Sequence, residues 1–312
     1  MDKNFIEKNN LSKENYPSIG LILLIRPKVN KLSFKSLKSF KEIATNTHIN
    51  KYITIPEDSY NLIKDKVEKI KKCEIILQPR NLNLGRNKLQ FLNQKIKEDY
   101  VIFLHDDDLY SSSIAQISLN IISKFLPTAL ALKATFINSE DYILSRRNSS
   151  KSKKLVKLDH IAILFRYFLP FERTLICPSI FYKRSVLNKY WEKNPNTIGA
   201  HEDVKMNYYL SKMGVFLELK DINHYYYRIH GAQDSSNLNY KSYLKLISWL
   251  KNIEINKIIK FILLISSFLQ FYFFKKEFSF KPRFFNNIFL IIRKELIKFR
   301  AGGNPTKNHY KQ

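Results

Sequence analysis

The chain has 312 residues, of which 45% are hydrophobic and 14% aromatic, enough apolar material for one large domain and a further segment. Its 53 Lys and Arg against 27 Asp and Glu give a net charge of +26, which favours a negatively charged partner. The seven glycines include no Gly-x-Gly pair, so the dinucleotide fingerprint and the Walker phosphate loop are excluded. Two cysteines are too few for a zinc finger or a disulfide framework.

Short apolar, β-branched runs alternate with amphipathic segments over the first third of the chain. The runs predict strands buried on both faces, as in a parallel sheet. They cover residues 18–25, 52–55, 74–77 and 100–104. The segments between them predict helices over residues 32–44, 60–71 and 86–97, the second capped by Asp58. This alternation predicts an α/β fold with a mostly parallel central sheet and flanking helices.

Further elements are predicted in the second half of the chain. A helix is expected over residues 202–213, and strands over residues 174–182, 215–219 and 222–229. These elements extend the α/β pattern to about residue 239, after which the composition changes.

Three consecutive aspartates, Asp106, Asp107 and Asp108, follow the predicted strand at residues 100–104. Ligands of open α/β sheets bind beyond the carboxyl ends of the strands. Adjacent carboxylates repel one another unless a cation or solvent relieves them, and oxygen ligands select Mg²⁺ or Mn²⁺. The motif therefore predicts a divalent metal site, with a solvated acidic turn or helix cap as the alternative.

The sequence resembles the family-2 glycosyltransferases of the GT-A fold, whose members carry an Asp-rich motif after a strand. Residues 100–110, YVIFLHDDDLY, have that form, with His105 where many members have another Asp. The resemblance implies that the three aspartates hold a divalent metal, and that the first two also contact the diphosphate of a nucleotide sugar. The first strand departs from the family pattern: Pro-Thr-Tyr-Asn is usual at its end, whereas residues 25–28 read IRPK.

Two upstream segments resemble the donor-binding parts of the same family. Residues 81–93 resemble its Asn-x-Gly-x-x-x-Arg-Asn segment, which implies donor-binding roles for Arg86 and Asn87. Glu57 and Asp58 follow the second predicted strand, where the family places an acid that binds the nucleotide base.

Two downstream segments complete the resemblance. Glu202 and Asp203 open a predicted helix, where acids also serve as caps. The family carries a Glu-Asp pair at this place, which implies that Asp203 removes the acceptor proton. Residues 225–235 resemble the Arg-x-His-x-x-Gln-x-Ser segment of the family. This implies that Arg228 adds charge at the donor site and that His230 binds the metal or the diphosphate, although a lone histidine is often structural.

The last quarter of the chain is basic and apolar. From residue 241 onward there are 15 Lys and Arg and three Glu. Residues 261–274 are 14 uncharged residues, fewer than the roughly 20 that a spanning helix needs. Residues 284–300 combine apolar side chains with a basic cluster. We expect residues 240–312 to form a helical segment on an anionic membrane surface. Packing against the catalytic domain and a homodimer interface are the alternatives.

The predicted organisation is a GT-A catalytic domain over residues 1–239, followed by that C-terminal segment. Within the domain, the donor half covers about 16–136 and the acceptor half about 137–239. The resemblance implies an inverting transferase that moves a sugar from a nucleotide-diphospho sugar to a hydroxyl of a glycan or glycolipid. A UDP-sugar is the first candidate for the donor. Bacterial surface polysaccharide or lipopolysaccharide assembly is the expected setting.

Two other functions are alternatives to a transferase. A nucleic-acid-binding protein would use the positive charge but would leave the acidic motifs unexplained, so nucleic acid is not an expected partner. An inactive transferase-like scaffold is disfavoured by the intact aspartates. The first 15 residues contain no apolar run of the kind that a secretory signal has. We therefore expect a cytoplasmic protein, peripheral on the inner face of the cytoplasmic membrane.

Overall fold

The computed structural model describes residues 16–79, 86–144, 155–169, 175–194, 202–220, 224–230 and 240–275. The chain divides into two compact units. The first comprises Met1–Leu164 and Thr174–Leu246, and the second comprises Phe165–Arg173 and Ile247–Gln312. The basic apolar stretch predicted at residues 284–300 lies outside the described residues.

The strands belong to the first unit. In chain order they are β1 (Ile19–Leu24), β2 (Ile49–Pro56), β3 (Cys73–Gln78), β4 (Tyr100–His105), β5 (Leu109–Tyr110), β6 (Ala129–Leu132), β7 (Ala134–Ile137), β8 (Leu155–Leu158), β9 (Ile180–Lys183), β10 (Phe216–Leu219) and β11 (Tyr225–Arg228). The helices are α1 (Lys31–Glu42), α2 (Glu57–Val67), α3 (Arg86–Lys95), α4 (Ile114–Phe125), α5 (His160–Phe168), α6 (Arg184–Lys193), α7 (Glu202–Met213), α8 (Tyr240–Asn252) and α9 (Lys257–Lys275).

An eight-stranded sheet in the order β3-β2-β1-β4-β9-β6-β10-β8 forms the centre of the first unit. The first four strands are parallel to one another, and Leu24 at the end of β1 pairs with Thr54 of β2 and His105 of β4. Their carboxyl ends therefore lie along one edge. β9 runs antiparallel to both β4 and β6, while β10 is parallel to β6 and antiparallel to β8.

A second sheet of three strands, in the order β5-β11-β7, lies beyond the carboxyl end of β4. β11 is antiparallel to β5, with Tyr225 opposite Tyr110, and parallel to β7, with Arg228 opposite Ile137. This small sheet brings the late segment around residue 228 beside the turn that follows β4.

The apolar pattern explains why these elements form. Every residue of β1 is buried, as expected for a strand covered on both faces. On α1, Leu37 and Phe40 lie on the face that contacts the core, and Asn30 caps the helix by accepting from the backbone N–H groups of Leu32 and Ser33. Apolar side chains of α2 and α4 also join this core.

The predicted α/β fold class, with its mostly parallel sheet and flanking helices, is confirmed. Two local predictions are wrong. Asp58 does not cap α2, because Pro56 ends β2 and the helix begins at Glu57, which places Asp58 within its first turn. The strand predicted at residues 174–182 begins only at Ile180, because residues 177–179, which include Pro178, form a 3₁₀ turn.

Candidate active site

The three aspartates form the turn between β4 and β5, at the carboxyl edge of the parallel strands. β4 is buried as far as Leu104, and His105 at its end is exposed. Asp106, Asp107 and Asp108 are 0%, 6% and 0% exposed. Carboxylates so deeply buried need charged or hydrogen-bonding partners, which excludes the solvated acidic turn.

Asp106 is held by groups from the segment that follows β1. Its Oδ1 accepts from Nε of Arg26 at 2.7 Å, and its Oδ2 accepts from the backbone N–H of Arg26 at 3.2 Å. The Ser33 hydroxyl on α1 donates to the same Oδ2 at 2.8 Å. The negative charge of Asp106 is therefore paired with Arg26, and both of its oxygens accept hydrogen bonds from the protein.

Asp107 lies between several positive groups. Its Oδ2 is 2.9 Å from Nε2 of His230 and 3.3 Å from Nη1 of Arg26. Burial by itself raises the pKa of Asp107, but His105, Arg26 and His230 outweigh burial and hold the pKa below its ordinary value. Asp107 is thus kept ionised, in the form that binds a cation.

Asp108 is the most enclosed of the three. It accepts a hydrogen bond from the Tyr225 hydroxyl and another from the backbone N–H of Arg228 at 2.8 Å. Burial, and after it the charge of Asp107, raise the pKa of Asp108 well above its ordinary value. Burial and the charge of Asp107 therefore oppose the ionisation of Asp108, and a bound cation would reduce that opposition.

Arg228 braces the turn from β11. Its guanidinium is fully buried and donates from Nε to the backbone carbonyl of Asp107 at 2.7 Å and from Nη1 to that of Asn138 at 2.6 Å. The same Nη1 is 2.5 Å from the carboxylate of Asp141, which also pairs with Lys35 at 2.6 Å. Arg228 therefore positions the aspartate turn from behind.

Helix α1 holds the turn from the other side. The Ser36 hydroxyl contacts the backbone carbonyls of His105 and Asp108, the first at 3.3 Å. The Tyr110 hydroxyl also donates to the carbonyl of His105. These contacts fix the backbone of the turn, so that its side chains hold their directions without a ligand.

A group that could hold a metal ion lies within this cluster. His105, Asp107 and Asp108 each offer one ligand atom, and these atoms are within 4.8 Å of one another. The two carboxylates suit Mn²⁺ or Mg²⁺, and the imidazole favours a transition metal, so the set fits Mn²⁺ better than Mg²⁺. Of the other expected ligands, Asp106 is held by Arg26, and His230 contacts Asp107 in the way that a supporting residue orients a metal ligand.

Glu202 and Asp203 lie in the first turn of α7, half-buried. Glu202 accepts from the Tyr190 hydroxyl. Burial, and after it the charge of Asp203, raise the pKa of Cys177 to about 12, so Asp203 lies near that thiol. The antiparallel register of β9 on β4 carries residues 177–179 toward the carboxyl end of β4, against which they pack. Asp203 thus belongs to the same edge of the sheet as the aspartate turn.

The expected donor-binding residues lie along this edge as well. Glu57 and Asp58 are exposed at the start of α2, directly after β2. The Ser59 hydroxyl donates to the carbonyl of Pro27 at 2.7 Å, which ties this helix start to the end of β1. Arg86 and Asn87 begin α3, and their side chains lie outside the described residues.

Sequence reasoning did not assign several residues that build the site. Arg26 carried a signal, since a basic residue directly follows the buried run of β1. Tyr225 and Asp141 carried none, because their contacts depend on the pairing of β11 with β5 and β7. Ser33 and Ser36 gave no functional signal either, because in the sequence they are only small polar residues of a predicted helix.

No protein-family model and no curated protein sequence matches the chain. Among solved structures it is similar to residues 1–349 of the S. aureus glycosyltransferase TarS. The TarS structure in complex with UDP-GlcNAc gives a TM-score of 0.56 at 13% identity, and the match covers 79% of this chain and 70% of that one. The TarS structure in complex with UDP gives a TM-score of 0.54 at 13% identity, and the match covers 84% of this chain and 72% of that one. The longer TarS structure gives 0.52 at 14% identity, covering 85% of this chain and 44% of that one. The chain therefore shares its fold with TarS.

The raised pKa of Asp108 predicts that removing its charge stabilises the metal-free protein. The folded state binds the Asp108 proton more tightly than the unfolded chain, so stability falls as the pH rises from the unfolded pKa, about 3.9, toward the higher folded pKa. We expect Asp108→Asn to raise the free energy of unfolding at pH 7 in EDTA. The gain shrinks toward pH 4, and urea unfolding at both pH values measures it.

Asp107→Asn is the matched control, because the pKa of Asp107 is lowered instead of raised. Its charge stabilises the fold above the unfolded pKa, and that contribution is lost as the pH falls through the folded pKa. Asp107→Asn should therefore lower the stability at pH 7. A metal-free Asp108→Asn protein that is less stable than the wild type at pH 7 contradicts this electrostatic account.

Proposed function

We propose that the protein is a metal-assisted, inverting glycosyltransferase that moves a sugar from a UDP-sugar to a hydroxyl of a glycan or glycolipid. The observation that carries the proposal is the group formed by the exposed His105 and the buried Asp107 and Asp108 at the carboxyl edge of the parallel strands. The fold is shared with TarS, whose structures contain UDP and UDP-GlcNAc. The expectation that the reaction inverts the anomeric centre comes from the resemblance of the motifs to those of family-2 glycosyltransferases.

Each part of the site has a role in this proposal. His105, Asp107 and Asp108 would hold a divalent metal, which when bound would supply Lewis-acid stabilisation of the leaving diphosphate. The lowered pKa of Asp107 keeps that carboxylate ready to bind a cation at neutral pH. Asp106 holds the turn through its contact with Arg26, and Arg228 holds it through the backbone carbonyl of Asp107. His230 orients Asp107, with a direct metal or diphosphate contact as its second role.

The donor nucleotide is proposed to extend from the turn along the edge of β1 and β2. Glu57 and Asp58 are exposed there and can accept hydrogen bonds from a base or a ribose. Arg86 and Asn87, at the start of α3, are proposed to contact the donor. A helix start also favours negatively charged groups.

Asp203 is proposed as the general base for the acceptor hydroxyl. It is half-buried at the start of α7, where an acceptor can reach it, and it lies near Cys177 on the same sheet edge. Glu202 accepts a hydrogen bond from the Tyr190 hydroxyl, and the resemblance of the Glu-Asp pair to the family-2 motif is what assigns the proton transfer to Asp203.

Asp203→Asn should leave UDP-GlcNAc binding within about twofold of the wild type and lower transfer by at least about 100-fold, since an amide cannot take the proton. The measurement is UDP release in the presence of Mn²⁺ over a panel of UDP-sugars, with water or added glycans as acceptor. Calorimetry gives the donor affinity in parallel. Glu202→Gln is the matched control and should lose much less turnover. Near-normal turnover by Asp203→Asn would leave Asp203 as a helix cap only.

We also propose that the second unit binds an anionic membrane surface peripherally, at the cytoplasmic face where a glycolipid acceptor is expected. Ile258, Phe261 and Ile265 on α9 are 62%, 64% and 41% exposed, and their spacing places them on one side of the helix. The other side is buried at Leu263 and Ser266. Within the described residues, no helix is long and apolar enough to cross a bilayer.

Basic residues accompany this apolar stripe. Lys257 begins α9 and is exposed, and Lys260, one turn further, reaches the carbonyl of Lys251. An exposed apolar stripe beside lysines is typical of a helix lying in a membrane interface. Each such basic residue contributes about 1 kcal/mol near an anionic surface.

The double substitution Ile258→Asp, Phe261→Asp should weaken co-sedimentation with phosphatidylglycerol-containing vesicles by at least about tenfold, because it removes buried apolar area and adds repulsion. Wild-type binding should fall with salt and with the anionic lipid content. Leu62→Asp, at a 68% exposed position of α2, is the control and should bind like the wild type. A wild-type protein that dimerises through α9 and ignores vesicles contradicts the membrane proposal.

A further inference from the structure

We propose that Arg26 is a resident cation of the aspartate turn, which competes with the divalent metal for Asp107 and couples metal binding to diphosphate binding. The role of the diphosphate rests on the proposed function. The competition with the metal does not, because it follows from the contacts of Arg26 in the protein alone.

Arg26 reaches the turn because β1 and β4 are adjacent and in register. Leu24 pairs with His105, so the residues that follow each strand emerge side by side at the carboxyl edge. The guanidinium then places Nε 2.7 Å from Oδ1 of Asp106 and Nη1 3.3 Å from Oδ2 of Asp107. One side chain thus neutralises two of the three carboxylates.

The two cations need the same group. Asp107 is one of the three residues that could hold a metal, and its Oδ2 already faces both Arg26 and His230. A divalent ion at this carboxylate would be close to the guanidinium, and like charges a few ångströms apart repel strongly in a partly buried site. Metal binding therefore weakens the contact of Arg26 with Asp107.

Arg26 is able to leave, whereas Arg228 is not. The side chain of Arg26 is 24% exposed, so it has access to solvent, while Arg228 is fully buried and tied to two carbonyls and Asp141. Asp106 also keeps part of its hydrogen bonding without the guanidinium. Its Oδ2 retains the backbone N–H of Arg26 and the Ser33 hydroxyl, while its Oδ1 loses Nε of Arg26.

A diphosphate gives the displaced guanidinium a new partner. Arginine binds phosphate oxygens through paired, charge-assisted hydrogen bonds, and Arg26 lies at the edge where the ligand of such a sheet binds. Metal and diphosphate then bind more tightly together than separately. This coupling is reciprocal, so each ligand must strengthen the other by the same factor.

The test is titration of Mn²⁺ into the full-length protein, followed by the electron paramagnetic resonance signal of free Mn²⁺, with and without UDP. Without UDP, Arg26→Gln should bind Mn²⁺ about three- to tenfold more tightly than the wild type, the range expected for one partly buried charge pair. UDP should strengthen Mn²⁺ binding in the wild type, and strengthen it less in Arg26→Gln by about the same factor.

Two further variants make the result specific. Lys28→Gln, which removes one charge from an exposed residue at the same edge, should leave Mn²⁺ affinity within about twofold of the wild type. Arg26→Lys keeps the charge but lacks the fork that reaches both carboxylates, so it should shift the affinity in the same direction by a smaller factor. It also provides the comparison if Arg26→Gln does not fold.

Equal or weaker Mn²⁺ binding by folded Arg26 variants overturns the inference, as does an equal gain in Lys28→Gln or the absence of Mn²⁺ binding in every protein. UDP coupling that is unchanged in Arg26→Gln overturns the diphosphate half. A different result shows that the transferase proposal alone has failed: no UDP-sugar is turned over, while the Arg26 variants still differ from the wild type in Mn²⁺ affinity.

Discussion

Asp106, Asp107 and Asp108 are buried side by side, and their repulsion must be offset by groups that come from distant parts of the chain. Arg26 arrives from the end of β1, Ser33 from α1, and Tyr225, Arg228 and His230 from β11 and the residues after it. The charges are distributed unequally: Asp107 has its pKa lowered and Asp108 has its pKa raised. A divalent cation would reduce the electrostatic cost of ionising Asp108 beside the ionised Asp107.

The two sheets explain how these groups meet. Parallel pairing of β1, β2 and β4 brings their carboxyl ends to one edge, and the small sheet of β5, β11 and β7 folds the late segment over that edge. Arg228 then connects the aspartate turn to the segment after β7 by binding the carbonyls of Asp107 and Asn138 and the carboxylate of Asp141. Rigid support of this kind leaves Arg26, which is partly exposed, as the cation with the most freedom to respond to a ligand.

Much of the fold could be predicted from local pattern. The apolar runs at β1 and β4 and the helix at α1 were visible, because strands buried on both faces and amphipathic helices have strong periodic signals. The start of α2 was misplaced because Pro56 acts at the boundary, and the short strands β5 and β7 gave no signal of their own. Their pairing is set by tertiary contacts, which sequence periodicity does not report.

The candidate site could be predicted only in part for the same reason. The aspartates, Arg228 and His230 belong to motifs, and the structure places all of them in one cluster. The role of Arg228 as a brace could not be foreseen, since its burial depends on how β11 pairs with β7. Arg26 was visible as a departure from the motif, but its contact with two carboxylates follows from the register of β1 on β4.

We propose that this carboxylate cluster binds a metal that in turn supports a nucleotide diphosphate. Calorimetric titration of UDP into the wild-type protein, with Mn²⁺ and with EDTA, tests it most directly. The account predicts affinity at least about tenfold higher with Mn²⁺, the size expected for one added charge-assisted contact, and loss of that difference in Asp107→Asn. Equal UDP affinity with Mn²⁺ and with EDTA in the wild type would contradict it.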